Sequence, residues 1–355
     1  MEHLVIGLDS NRPRKSFYTS TVWFSRRIYP RLNLISVCIY IYIYIGGGFN
    51  IAASPMHFDF FYHQIVRPFN AAGDDVAFFF VEYTLTPCAS YPTQLRQAVE
   101  AVRYVIHDTK RPASSVILGG DSAGGTLILS VLLHLSHPHP EIEPLQLECN
   151  DDDTGNDDIA FDVDGVGIDL DETGIVDTAN SSSPTWTSSR RRSSSKLGGV
   201  VACSPWVSFR TDWPSVERNK YKDIIDPRCL KVWAAAYLNG RQSDSWSEPL
   251  LAPVEWWRDA KVEHVLLMGG SDEVLISSIE QFAKQFKVTP TTNAEGEGRE
   301  RRLTDHSFNQ SVNPDAKFFI GHDETHAVHI YSSMISGKEP QQEQALKAWL
   351  AARVQ

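Results

Sequence analysis

The chain alternates between short apolar segments and longer amphipathic ones. Apolar segments of strand length lie at 34–45, 76–83, 199–203, 262–268 and 316–320, and a sixth begins at Val116. Segments of helical length lie between them, at 56–70, from Pro92, at 227–238 and from Pro340. After Pro92 the apolar residues recur at every third or fourth position, as on one face of a helix. Strands that alternate with helices predict an α/β fold with a mostly parallel, doubly wound sheet.

Two polar segments interrupt this alternation. Residues 148–196 are acidic at first and then rich in serine, and residues 289–315 are polar throughout. Such sequences bury too little apolar surface to offset the entropy of ordering. We therefore expect 148–196 to be a disordered, low-complexity insertion and 289–315 a flexible loop. The remainder, 34–147 and 197–355, is then one α/β domain, preceded by an irregular segment at 1–33.

Composition and charge narrow the classes of partner. The chain has 42% hydrophobic and 22% charged residues, which is typical of a globular protein, and its net charge is −11. This charge argues against a nucleic-acid partner, which would need a basic surface. The five cysteines have no metal-binding spacing, so we expect isolated thiols and a cytoplasmic location. The apolar segment 34–45 is too short to span a membrane. The sequence leaves the oligomeric state open.

A glycine-rich turn lies at the centre of the pattern. From Val116 to Leu127 the sequence reads VILGGDSAGGTL, and an apolar stretch of helical length follows. A strand, a tight turn and a helix around G-x-S-x-G form a nucleophile elbow, which holds a serine hydroxyl above the edge of a sheet. The motif makes Ser122 the candidate nucleophile. The alternative is a turn of small residues with a buried structural serine.

The other groups of a catalytic triad also follow predicted strands. The pair Asp272 and Glu273 comes after the strand at 262–268, and His326 comes after the strand at 316–320. Carboxyl ends of parallel strands meet at one edge of the sheet, and the chain order serine, acid, histidine is the one that nucleophile-elbow hydrolases use. His326 would take the proton of Ser122, and the acid would orient the imidazole.

The sequence also contains candidate donors for an oxyanion hole. Three glycines follow the strand at 34–45, and the N–H groups of Gly47 and Gly48 can approach a ligand closely. The N–H of Ala123, directly after the candidate nucleophile, would be the third donor.

Together these motifs resemble the hormone-sensitive-lipase-like branch of the α/β-hydrolases, particularly its fungal esterases. The similar segments are IGGGF, EYTLTP with YPTQLRQA, GDSAGG, SPWVSF, SDEVL and the late histidine. The resemblance implies an α/β-hydrolase fold with a helical cap. It also implies a serine carboxylesterase that acts on acetyl or other short acyl esters, often of secondary metabolites, without a cofactor or a metal.

The resemblance also assigns roles within the motifs. It selects Glu273 as the acid, with Asp272 as the alternative, and it favours His326 over His322 and His329 as the base. The sequence departs from the family pattern at Ile45, where the family has a histidine before the glycines. By the same comparison 1–33 corresponds to a truncated cap.

The segment at about 207–258, rich in tryptophan, suits a cap or lid over a substrate pocket. The alternative for any one of these tryptophans is ordinary core.

Three other functions compete with the esterase hypothesis. His322, His326 and His329 have the spacing of metal ligands on one helix face, although Gly321 and the preceding strand argue against a helix there. A binding protein on a hydrolase scaffold with a damaged oxyanion loop is the second, and a lyase or acyl-transfer enzyme is the third.

Overall fold

A computed structural model of the chain describes residues 38–43, 47–52, 55–74, 76–148, 195–286, 290–291, 315–335 and 339–353. The predictions for 1–33, for Ile45, for most of the insertion at 148–196 and for most of the loop at 289–315 lie outside these residues.

The described strands form one parallel sheet. Their order is β2-β1-β3-β4-β5-β7-β6, and each pairing in it is parallel. The strands are β1 (Cys38–Ile43), β2 (Val76–Val81), β3 (Val116–Asp121), β4 (Leu197–Cys203), β5 (Val262–Gly270), β6 (Pro290–Thr291) and β7 (Asp315–Gly321). The fold class predicted from the alternation of strands and helices is therefore confirmed.

Helices connect the strands and cover both faces of the sheet. They are α1 (Pro55–Phe60), α2 (Arg67–Ala72), α3 (Thr93–Arg103), α4 (Ala123–Ser136), α5 (Pro214–Asn219), α6 (Pro227–Leu238), α7 (Val254–Arg258), α8 (Ile276–Ala283), α9 (Val328–Ile335) and α10 (Gln341–Ala351). A π-helical turn, Phe61–Val66, joins α1 to α2, so the helix predicted at 56–70 is confirmed. Among the described residues, no helix combines the length and the apolar character that a membrane crossing requires.

The sheet separates two hydrophobic cores. Alternate side chains of β2 enter different cores, because successive residues of a strand point to opposite faces. Phe79 packs with α3 and α4 in the larger core, whereas Phe78 and Phe80 pack with Phe61 and the residues of α10 in the smaller one. β2, β3 and β4 are thus buried along their whole length on both faces, as their apolar sequences predict.

The prediction of a loop over 289–315 is wrong at 290–291. β6 forms there, and Pro290 and Thr291 pair with Phe318 and Phe319 of β7. A polar segment of two residues has no strand pattern of its own, so the pairing depends on β7 as a neighbour. Proline is tolerated because β6 is at the edge of the sheet.

The tryptophans in the predicted lid and directly before it divide between two environments. Trp206 and Trp257 are each 1% exposed and belong to the larger core, so ordinary core is the correct interpretation for them. Trp233, Trp246 and Trp256 are partly buried and pack against the same core from outside.

Candidate active site

Ser122 lies at a sharp turn between β3 and α4. β3 ends at Asp121 and α4 begins at Ala123, and the backbone of Ser122 has φ 53° and ψ −119°. Residues other than glycine rarely adopt a positive φ, and such strain persists only where the surroundings enforce it. Here Ser122 N donates to Cys203 O at 2.9 Å, and Ser122 O accepts from Trp206 N at 3.1 Å. The neighbouring strand β4 and the segment after it therefore hold the turn.

Glycines allow the strand and the helix to meet at this turn. A Cβ on Gly120 would be 2.5 Å from Gly124 O, and a Cβ on Gly125 would be 2.9 Å from Pro205 Cβ. Real Cβ atoms essentially never come within 3.0 Å of another such heavy atom, so only glycine fits at these two positions. The small residues of the GDSAGG motif are thus required by the close packing of β3, α4 and the residues after β4.

Glu273 and His326 form a buried pair at the same edge of the sheet. Glu273 follows β5 and is 0% exposed, and His326 follows β7 and is 4% exposed. His326 Nδ1 and Glu273 Oε2 are 3.1 Å apart. Glu273 Oε1 accepts from Gly270 N at 3.2 Å, which fixes the carboxylate from its other side. The pairing leaves the Nε2 atom of His326 available to a second group.

Opposing effects set the protonation of this pair. Burial disfavours the imidazolium of His326, but the hydrogen bond and the charge of Glu273 outweigh it, so the pKa of His326 is raised. Charges of Asp223 and Asp121 act in the same direction. Burial also raises the pKa of Glu273, and the hydrogen bond from His326 opposes that shift. An acid in this position stabilises a histidine that gains a proton during a reaction.

The alternative acid and bases have other partners. Asp272 Oδ1 forms a salt bridge with Lys222 Nζ at 2.8 Å. The side chain of His322 is 72% exposed and pairs with Asp323. His329 is buried in α9 and packs edge-on against Phe60, with the ring centroids 5.4 Å apart. The three histidines proposed as metal ligands are therefore in three different environments. Among the residues that the structure describes, no cluster of histidine, cysteine or acidic side chains is arranged to hold a metal ion.

Adjacent strand ends bring Ser122 to the edge that holds this pair. β3, β4, β5 and β7 are neighbours, and Asp121 aligns with Cys203, which aligns with Met268. Ser204 links the turns: its N donates to Met268 O at 2.7 Å, and its Oγ accepts from Ala327 N at 3.1 Å. The turn that holds Ser122 and the turn that holds His326 are thus both tied to the end of β4.

The candidate oxyanion loop follows β1, the other neighbour of β3. Gly47–Phe49 forms one 3-10 turn, in which Gly48 has φ 61°. A Cβ on Gly48 would be 2.2 Å from the Trp233 ring, so α6 covers this turn closely. Phe49 stacks on Tyr237 with ring centroids 3.7 Å apart. The N–H of Ala123 is one of the amide groups that the first turn of a helix leaves unpaired, so α4 offers it at the same edge.

Sequence reasoning missed two residues at this edge. Ser204 follows β4 in the segment SPWVSF, and its position after a strand was an available signal. Asp223 lies in the turn after α5 and accepts hydrogen bonds from the backbone of both His326 and Val274. No motif or strand precedes Asp223, so only the tertiary structure reveals it.

Comparison with known proteins identifies the fold. A family model described as the α/β-hydrolase fold matches residues 41–147. The chain has the α/β-hydrolase fold. The match begins within β1 and runs past the end of α4, so it includes the glycine loop and the elbow. It confirms the resemblance seen in the motifs at the level of this superfamily.

Similar proteins include one from yeast and two from other fungi. A segment of 105 residues is 31% identical to steryl acetyl hydrolase 1 of Saccharomyces cerevisiae, and the match covers 28% of this chain and 23% of that protein. One of two esterases from Rhizomucor miehei has a TM-score of 0.63 at 16% identity, covering 99% of this chain and 82% of its own. Carboxyl esterase 2 of Tuber melanosporum has a TM-score of 0.59 at 14% identity, covering 94% and 80%. At these identities, the two structural similarities show that the chain shares the α/β-hydrolase fold with these esterases.

Proposed function

We propose that this α/β-hydrolase is a serine carboxylesterase that acts through an acyl-enzyme on Ser122. The observation that supports this most directly is the buried Glu273–His326 pair, 3.1 Å apart, at the sheet edge where the strained elbow holds Ser122. An imidazole oriented by a carboxylate, at the sheet edge that also carries the elbow serine, is the arrangement that acyl transfer requires.

The reaction has two halves. His326 takes the proton of Ser122 as its oxygen attacks the ester carbonyl, and the imidazolium is stabilised by Glu273. Collapse of the tetrahedral intermediate breaks the bond to the alcohol oxygen, which receives the proton from His326. Water then attacks the acyl-enzyme while His326 takes one of its protons. Collapse of the second intermediate breaks the bond between the acyl carbon and the Ser122 oxygen, which regains a proton from His326 as the acid is released. The sequence of steps uses no cofactor.

The oxyanion needs donors fixed before the reaction. We propose the N–H groups of Gly47, Gly48 and Ala123, because the first two follow β1 and the third begins α4. The loss of one such donor typically costs about 3 kcal/mol of transition-state stabilisation.

The substrate class is the finer part of the proposal. We propose acetyl or other short acyl esters of a small molecule, such as a secondary metabolite. The local similarity to a protein named steryl acetyl hydrolase supports an acetyl group. We further propose a cytoplasmic location, because Cys88, Cys203 and Cys229 are free thiols.

A fluorophosphonate probe tests the nucleophile. The probe should label the protein, and Ser122→Ala should abolish both labelling and hydrolysis of p-nitrophenyl acetate. Ser136→Ala, at the far end of the helix α4 that begins directly after Ser122, is the matched control and should keep both. Turnover should fall as the acyl chain of p-nitrophenyl esters is lengthened. A folded protein that the probe does not label would instead support the binding-protein hypothesis.

A further inference from the structure

The turns that hold Glu273 and His326 depend on one segment outside the sheet. This segment, 215–223, comprises α5 from Ser215 onward and the turn after it. Asn219 Nδ2 donates to Ser271 O at 3.0 Å and to Glu273 O at 2.8 Å. Ser215 Oγ donates to Val274 O at 2.6 Å. Side chains of the 215–223 segment therefore satisfy the backbone of the acid turn.

Asp223 extends these contacts to the histidine. Its Oδ2 accepts from Val274 N at 2.7 Å. Its Oδ1 accepts from His326 N at 3.1 Å and from Ile224 N at 2.7 Å. One carboxylate thus accepts from the backbone of both Val274 and His326, which are 52 positions apart in the chain.

We propose that Asp223 is a positioning residue for His326: its carboxylate holds the acid turn and the base in one arrangement by accepting a backbone N–H from each. This inference rests on the proposed esterase function of Ser122. Small displacements of a base are costly, because proton transfer requires hydrogen-bond geometry in the transition state.

The charge of Asp223 gives the proposal a second signature. The titratable groups that act on the imidazole of His326 are Glu273 from the acid turn, Asp223 from the 215–223 segment, Asp121 from the end of β3 and His329 from α9. The three carboxylates all favour the imidazolium form. Removal of the Asp223 charge should therefore lower the pKa of His326, which a purely structural residue would leave unchanged.

The test compares Asp223→Asn with Glu217→Gln. The first change keeps an amide oxygen that can accept from His326 N but removes the charge and the bond to Val274 N. The second removes a carboxylate from an 81% exposed side chain on α5. Asp223→Asn should lower kcat by about 10- to 100-fold with little change in KM, and the acid limb of its pH profile should move to lower pH. Glu217→Gln should match the wild type in both.

An NMR titration separates this proposal from the proposed function. The imidazole of His326 is followed in histidine-labelled protein and assigned by its loss in His326→Gln. Its pKa should be lower in Asp223→Asn than in the wild type, whether or not the protein hydrolyses esters. An unchanged pKa together with wild-type kcat would overturn the role of Asp223. A wild-type protein without esterase activity or probe labelling would overturn the proposed function instead.

Asp223→Glu provides the test if the asparagine variant fails to fold. Glutamate keeps the charge but is one methylene longer, so the pKa of His326 should stay close to the wild-type value while kcat falls. A variant with wild-type kcat in which His326 titrates at lower pH would contradict both parts of the proposal.

Discussion

At the scale of single residues, two adjacent carboxylates have different partners. Asp272 and Glu273 are neighbours in sequence, yet Asp272 pairs with Lys222 and Glu273 contacts His326. The backbone turns between them, so one side chain points to the solvent-facing rim and the other into the core. Glu273 is 0% exposed, and its environment is the one that orients an imidazole.

We expect Glu273→Gln to lower kcat by roughly 10³- to 10⁴-fold, because an amide neither orients the correct imidazole tautomer nor stabilises its positive charge. Asp272→Asn should retain most of the activity, since it loses only a salt bridge on the rim. Hydrolysis of p-nitrophenyl acetate by the two variants measures the difference. Equal losses in both would contradict the assignment of the acid.

The raised pKa of His326 also predicts the pH dependence of activity. A base must be unprotonated in the free enzyme, so activity is lost as pH falls through the pKa of His326. Since that pKa is raised above the ordinary value of 6.5, the acid limb of kcat/KM should lie above pH 6.5. A pH profile of the wild type is the measurement. An acid limb below pH 6 would show that Glu273 does not stabilise the imidazolium as the geometry indicates.

At the scale of elements, the proposed oxyanion loop, Gly47–Phe49, packs against α6. Gly48 lies against the face of Trp233, and Phe49 lies against Tyr237, both from α6. Phe49 O also accepts from Thr86 N at 2.9 Å. A helix of the segment rich in tryptophan thus packs directly on this loop.

Gly48→Ala should therefore impair catalysis through this contact. A Cβ there would be 2.2 Å from the Trp233 ring, and the φ of 61° is unfavourable for alanine. We expect a loss of about 10²- to 10³-fold in kcat, the size expected when an oxyanion donor is displaced. Gly240→Ala is the matched control, because Gly240 has φ 81° but no atom near its Cβ position. Equal kinetics for the two variants would contradict a role of the contact between Gly48 and α6 in catalysis.

At the scale of the whole molecule, a buried histidine links stability to pH. His329 lies between the smaller core and α10, near Phe60, His57 and Gln342. Burial is the main cause of its lowered pKa, which falls from 6.5 to about 3. The neutral imidazole is therefore compatible with the folded state, and the imidazolium is not.

The folded protein should lose stability in acid because of His329. Between pH 6.5 and about 3 the unfolded chain binds a proton at this residue and the folded protein does not. The free energy of unfolding should therefore fall by up to about 1.4 kcal/mol per pH unit over that window. Urea unfolding of the wild type and of His329→Gln at several pH values measures the slope, and the difference between them isolates this residue. The exposed His322→Gln should keep the wild-type slope, and an identical slope in His329→Gln would refute the prediction.

The sequence alone determined the features that depend on local pattern. Proline at its first residue and the closing Asn239–Gly240 pair give α6 the predicted bounds, Pro227–Leu238. Runs of Ile, Val and Phe give the buried strands, and the glycines around Ser122 give the elbow, since both follow from side-chain size and backbone freedom. The chain order of Ser122, Glu273 and His326 also follows from the motifs.

Only the tertiary structure decided which groups meet. β6 pairs with β7, Asp272 pairs with Lys222, and Asp223 accepts from His326. No local pattern connects the two members of any of these pairs. Local pattern reports the preferences of a few consecutive residues, whereas a hydrogen bond from Asp223 to His326 exists because the sheet order places β5 beside β7 and α5 against their ends. The sequence thus determines which chemical groups are present, and the packing of the sheet determines which of them are neighbours.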